Sequence, residues 1–167
     1  MRAELYLIPI PASGRLAILP RPRGGDWLAE EVAAWRQAGV DAVVSMLTTD
    51  EVADLGLAAE ADECRAQGIE YLSLPTPDRG VPAPKAAADA IARLAGLVAD
   101  GKTVAVHCRQ GIGRSAVIAA GVLIALGADA EAAIRAVADA RGCPVPETPE
   151  QRRWIMDFAA SLTQAAR

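Results

Sequence analysis

Thr103-Val-Ala-Val-His107-Cys108-Arg-Gln-Gly-Ile-Gly-Arg114-Ser115 is the stretch that decides how this chain folds. Its opening, Thr103 to Val106, is an apolar and largely β-branched run of the kind that forms a buried strand. From Ser115 to Leu126 the chain is nearly all apolar and reads as a helix buried on most sides. Between them lies a short loop with Gly111 and Gly113, which tolerate positive φ and let backbone N–H groups turn inward. Strand, glycine-bearing loop and helix N-terminus together make a cradle for an anion. Cys108 stands at the start of that cradle, with Arg109 and Arg114 beside it. The helix end and the two guanidinium groups favour a thiolate there. A nucleophilic thiolate under a phosphate-shaped nest suits phosphoryl transfer.

Two further segments carry polar residues in informative places. Ile69 to Leu74 reads as a strand and feeds a loop stiffened by Pro75, Pro77, Pro82 and Pro84, which resist helix. That loop holds Asp78, 30 residues before Cys108. Asp before Arg-Gly is also ordinary turn chemistry. Downstream, Cys143-Pro-Val-Pro-Glu-Thr-Pro-Glu-Gln-Arg-Arg-Trp154 contains a helix start. Thr148 is its N-cap, Pro149 its first residue, and Glu150 and Gln151 lie in its first turn.

The rest of the pattern alternates. Strands are expected over Glu4–Ile8, Leu16–Leu19 and Val40–Leu47, besides the two above. Helices are expected over Trp27–Ala38 capped by Asp26, from Asp50 capped by Thr49, and over Leu57–Gln67. Lys85–Ala99, Asp129–Ala140 and Pro149–Gln164 complete the set. Such alternation predicts an α/β fold with a central, mostly parallel sheet flanked by helices on both faces. The cysteine loop then falls at the carboxyl end of a central strand, where open α/β sheets bind ligands.

The string His-Cys-x-x-Gly-x-x-Arg-Ser over His107–Ser115 resembles the signature of the cysteine-dependent protein phosphatases, dual-specificity branch. The Asp78 loop and the Gln151 segment are similar to those of the kinase-associated phosphatases and their bacterial relatives. The likeness runs from about Leu16 to Phe158, and it implies a single phosphatase-like domain over residues 1–167. It implies Cys108 as nucleophile, Arg114 as bidentate phosphate clamp, Asp78 as general acid and Ser115 as donor to the departing sulfur. Gln151 would orient the hydrolytic water, and His107 would orient the loop from below. The loop residues Arg109, Gln110, Gly111, Ile112, Gly113 and Arg114 would hold phosphate, sulfate or vanadate. The expected activity is hydrolysis of phosphotyrosine and phosphoserine or phosphothreonine in proteins. A phosphoinositide or small-molecule phosphatase is the second expectation, set back because Arg-Gln-Gly-Ile-Gly lacks lysine. A rhodanese-type sulfurtransferase would not need Asp78, and a silent phosphate-binding module would not need the full chemical set.

Composition bounds the partners. The 167 residues are 52% hydrophobic and carry a net charge of −4, so one sizeable core is expected and a nucleic-acid footprint is not. There is one histidine, His107, which argues against a His-rich metal site, and no cofactor is expected. Three cysteines without a Cys-x-x-Cys pair suggest a reducing compartment, the cytoplasm. Cys64 reads as a small buried hydrophobe, whereas Cys143 is a conceivable resolving thiol for an oxidised Cys108. No run is long enough to span a membrane. Arg21, Arg23, Gly24 and Gly25 read as a solvated basic loop, with an anion contact as the alternative.

Overall fold

A computed structural model describes residues 1–166. Five strands form one sheet: β1 (Tyr6–Ile8), β2 (Arg15–Leu19), β3 (Ala42–Ser45), β4 (Glu70–Ser73) and β5 (Thr103–His107). Their order across the sheet is β1-β2-β5-β3-β4, and only the β1–β2 pair is antiparallel. Seven α-helices connect and cover them: α1 (Leu28–Gln37), α2 (Thr49–Asp54), α3 (Glu60–Ala66), α4 (Pro84–Ala99), α5 (Arg114–Ala125), α6 (Ala130–Arg141) and α7 (Pro149–Ala165).

Alternation along the strands sorts the core into two layers. Leu16, Ile18, Val44, Val104 and Val106 face a large apolar cluster built with α4, α5 and α6, to which Ile155 of α7 also belongs. Ala17, Leu19, Val43 and Ala105 face a smaller one built with α1 and α3. The central helix α5 is buried along its whole length except at Ala125. This is the expected α/β architecture, with helices on both faces of the sheet.

Three helix starts differ from expectation. Asp26 caps nothing; the chain enters α1 through a 3-10 turn, Gly25–Trp27, and Trp27 occupies the N-cap without a side-chain bond. Thr48, not Thr49, caps α2, because Glu51 three residues on closes a reciprocal capping box with it. The helix expected from Leu57 begins only at Glu60. The basic loop packs against its own fold: Gly25 N–H donates to the Gly56 carbonyl at 3.0 Å. Its Arg23 pairs with Glu31 and lies over the Trp27 ring.

Parallel register puts the ends of β2, β5 and β3 level. Leu19 and Ser45 are the register partners of His107 on either side. The chain leaves β5 at Cys108, between these two strand ends, and this places the site.

Candidate active site

The loop from Cys108 to Gly113 joins β5 to α5 in a single tight step. Cys108 is 3% exposed, and the Gly111 N–H donates to its Sγ at 3.3 Å. Gly111 has φ +77°, and a Cβ there would stand 2.9 Å from Ile18 Cγ2, so both conformation and space demand glycine. Gly113 differs from expectation: its φ is −115°, and it does not use the left-handed region. What it supplies is room, since a Cβ would meet the Gln151 amide nitrogen at 3.1 Å. Ser115 is fully buried in the first turn of α5, and its Oγ has no protein partner among the described residues.

Arg114 is 2% exposed and its guanidinium is held at the terminal edge. Nη1 donates to Glu51 Oε2 at 2.8 Å and Nη2 to Glu51 Oε1 at 2.9 Å, a bidentate pair. Nη1 also lies 2.8 Å from the Thr76 carbonyl and 3.3 Å from that of Met46. No hydrogen bond involves Nε among the described residues, which leaves the Nε–Nη2 edge for a second planar acceptor. The Arg114 hydrogen bond holds Glu51 far below the usual carboxylate range, at about 2, against the opposing effect of burial. Glu51 is one of two residues around the site that sequence reasoning missed. Its one sequence signal, Thr48 with Glu51 three positions later, reads entirely as a helix start.

Asp78 lies in a turn closed by the Gly80 N–H donating to the Pro77 carbonyl at 2.8 Å. Arg79, the third residue of that turn, has φ +62° and is the one non-glycine in the left-handed region among the described residues. Asp78 Oδ1 stands 3.5 Å from Arg114 Nη2, and its side chain is 65% exposed. The loop is tied from outside by the segment that leads into α7. Arg79 pairs with Glu147 at 2.8 Å, Gln151 Nε2 donates to the Gly80 carbonyl at 3.0 Å, and Trp154 Nε1 donates to the Pro82 carbonyl at 3.2 Å. Gln151 is fully buried, and its Oε1 accepts from the Glu147 and Thr148 N–H groups at 3.0 and 3.1 Å. Only the second Nε2 hydrogen remains to meet a water.

Beneath the loop, His107 and Glu60 form a buried pair, with Nε2 and Oε1 2.5 Å apart. His107 Nδ1 lies 3.2 Å from the Cys108 carbonyl. Both ring nitrogens therefore face oxygen, and both contacts are hydrogen bonds when the pair carries two protons in all. The ring thus fixes the Cys108 carbonyl from below. Glu60 was also missed, because nothing in the sequence around α3 separates a buried glutamate from a solvated one. Cys64 is fully buried, and burial, with the Glu60 and Glu63 carboxylates, pushes its thiol up to about 12, which makes it inert.

Asp78, Arg79, Cys108, Arg109, Gln110, Ile112, Gly113, Arg114, Glu147 and Gln151 line one cleft of about 250 Å³. No cluster of His, Cys, Asp and Glu able to hold a metal occurs among the described residues. No curated protein sequence matches the chain. Among solved structures, it superposes on kinase associated phosphatase carrying serine for its catalytic-site cysteine, with a TM-score of 0.86 and 18% identity over 98% of this chain and 97% of that one. Tk-PTP in its active form matches with a TM-score of 0.72 and 28% identity, over 88% of this chain and 92% of that one. PTPMT1 in complex with PI(5)P matches with a TM-score of 0.78 and 24% identity, over 95% and 98%. A family profile described as the DSP-PTPase phosphatase of polymorphic toxin systems covers residues 19–128, which include Asp78, Cys108, Arg114 and Ser115. The chain belongs to that family, and with it to the dual-specificity branch of the cysteine-dependent phosphatases.

Proposed function

We propose that this phosphatase hydrolyses phosphotyrosine and phosphoserine or phosphothreonine in proteins, in the cytoplasm, through a cysteinyl-phosphate intermediate. The observation that best supports this reading is the convergence of Cys108, the open edge of Arg114 and Asp78 on one cleft. In the first step Cys108 Sγ attacks phosphorus in line with the leaving oxygen. The S–P bond forms as the P–O bond breaks, and Asp78 gives its proton to the departing oxygen. Arg114 and the loop N–H groups hold the equatorial oxygens. In the second step a water attacks phosphorus, Asp78 takes its proton, and the S–P bond breaks to return the thiolate. The unpartnered Ser115 hydroxyl donates to the sulfur as it leaves. The free Gln151 Nε2 hydrogen orients the water. The guanidinium and the loop supply the positive field, with no step asked of a metal.

A phosphoinositide or small-molecule substrate is the second reading. Among the described residues no aromatic ring lines the cleft, and Ile112 is the apolar wall a phosphotyrosyl ring would find there. PTPMT1, solved with PI(5)P, has the same fold. The test is a panel of phosphotyrosyl, phosphothreonyl, phosphoinositide and nucleotide substrates compared by kcat/KM in EDTA. Phosphopeptides leading the panel supports the first reading, and phosphoinositides leading it supports the second. Acid quenching should trap phosphate on the wild-type protein and none on Cys108→Ser, which should still bind inorganic phosphate.

A further inference from the structure

A loop that turns its N–H groups inward turns its carbonyls outward, where they need partners. Two of these carbonyls share one. Arg141, the last residue of α6, donates from Nε to the Gly111 carbonyl at 2.9 Å and from Nη2 to the Gln110 carbonyl at 3.1 Å. Its guanidinium lies over the Tyr6 ring of β1, 4.0 Å from the centroid. Gly142 follows in the left-handed conformation and ends the helix, which fixes where Arg141 stands. Arg141 is not among the residues that line the cleft, so it meets the loop from the back.

The peptide between Gln110 and Gly111 therefore carries a cation at one end and the Cys108 sulfur at the other. Arg141 binds its oxygen at 3.1 Å, and its N–H donates to Sγ at 3.3 Å. The next peptide is held the same way at the Gly111 oxygen, and its N–H belongs to Ile112, a cleft residue. A cation on a carbonyl oxygen polarises the peptide and makes its N–H a stronger donor.

We propose that Arg141 is a positioning residue of the phosphatase. From outside the cleft it locks two peptide units so that their N–H groups face the Cys108 sulfur and the oxygens of the bound phosphoryl group. This rests on the reading of the Cys108 loop as the phosphate site. The two-pronged contact needs the guanidinium fork, which an ammonium cannot reproduce.

The test compares wild type, Arg141→Met and Arg141→Lys by kcat, KM, the inhibition constant of vanadate and Tm. Arg141→Met should lower kcat about 10- to 100-fold and weaken vanadate by a similar factor, with a smaller change in KM. Arg141→Lys should stay within about threefold of Arg141→Met. Kinetics within twofold of wild type in Arg141→Met, whatever its Tm, would overturn the inference. So would full rescue by lysine, since charge alone would then suffice. A wild-type protein that neither turns over nor binds vanadate would instead overturn the phosphatase reading on which this one stands.

Discussion

Asp78 works in a different medium from the residues around it. Its side chain is 65% exposed, whereas Arg114, 3.5 Å away, is 2% exposed. A carboxyl at the open mouth of the cleft can meet the leaving oxygen, and in the proposed cycle the proton it gives in the first step leaves it ready as the base of the second. Its value scales with the basicity of the leaving oxygen. Asp78→Asn should slow alkyl and tyrosyl phosphate hydrolysis by roughly 10²- to 10⁴-fold. Fluorinated phenyl phosphates, which leave without help, should lose much less. A leaving-group series measured with both proteins decides it, and an equal loss throughout would move the acid role to Glu147, the other carboxylate in the cleft. Arg114 makes a second residue-scale case. One edge of its fork is taken by Glu51, so phosphate must use the other. A lysine cannot do both. Arg114→Lys should therefore lose at least about 100-fold in kcat despite keeping its charge. Near-normal turnover would show that charge alone suffices. The proposed nucleophile, clamp and sulfur donor could be named from the sequence because they lie within eight positions, Cys108 to Ser115. Glu51 and Glu60 could not, because each acts through a partner far along the chain, 63 residues away for Arg114 and 47 for His107.

The N-terminal end of α7, with Glu147 just before it, braces the loop that carries Asp78. Residues 147, 151 and 154 hold residues 79, 80 and 82 through an ion pair and two hydrogen bonds to carbonyls. Reading the sequence identified Thr148 as N-cap, Pro149 as first residue and Gln151 in the first turn; the structure adds that Thr148 and Gln151 close a reciprocal capping box. What the helix start holds was not legible, because backbone carbonyls such as those of Gly80 and Pro82 leave no trace in a sequence. Gln151 thus has two roles to separate. Gln151→Leu leaves two backbone N–H groups and the Gly80 carbonyl unpaired, at a cost of about 2–4 kcal/mol in stability. Trp154→Phe removes the bond to Pro82, about 1 kcal/mol, and trims the ring stacked on Phe158, but touches nothing in the cleft. If the brace positions the acid, Trp154→Phe should slow poor leaving groups severalfold and spare good ones. Loss of Tm with no dependence on leaving group would reduce the brace to a structural contact.

Across the whole molecule, alternation of apolar runs gave the architecture and the two-sided burial, while the strand order β1-β2-β5-β3-β4 came only with the structure. Periodicity states which face of a strand is buried but not which strand lies beside it. The site is global in the same sense: Glu51 follows β3, Asp78 follows β4 and Cys108 follows β5, so a carboxylate from each crossover meets the loop only when the sheet is assembled. That ties stability to acid. The Arg114 hydrogen bond holds Glu51 at about 2, against burial. The Arg93 hydrogen bond likewise lowers Glu70. Burial pushes Asp41 up, but the Thr103 N–H and Arg36 outweigh it and bring it below its ordinary value. A carboxylate depressed in the folded state stabilises it above the unfolded value and loses that contribution as pH falls through the folded one. For Glu51 the window runs from about 4.5 down to about 2. Denaturant unfolding from pH 7 to pH 2 should show wild-type stability falling across that window. Glu51→Gln should be less stable at pH 7 by about 1–2 kcal/mol, allowing for solvent screening at the cleft, and the two curves should converge toward pH 2. A constant offset at all pH values would refute the linkage to the Glu51 charge, and superposed curves would mean that the Glu51–Arg114 pair holds the site without contributing to the fold.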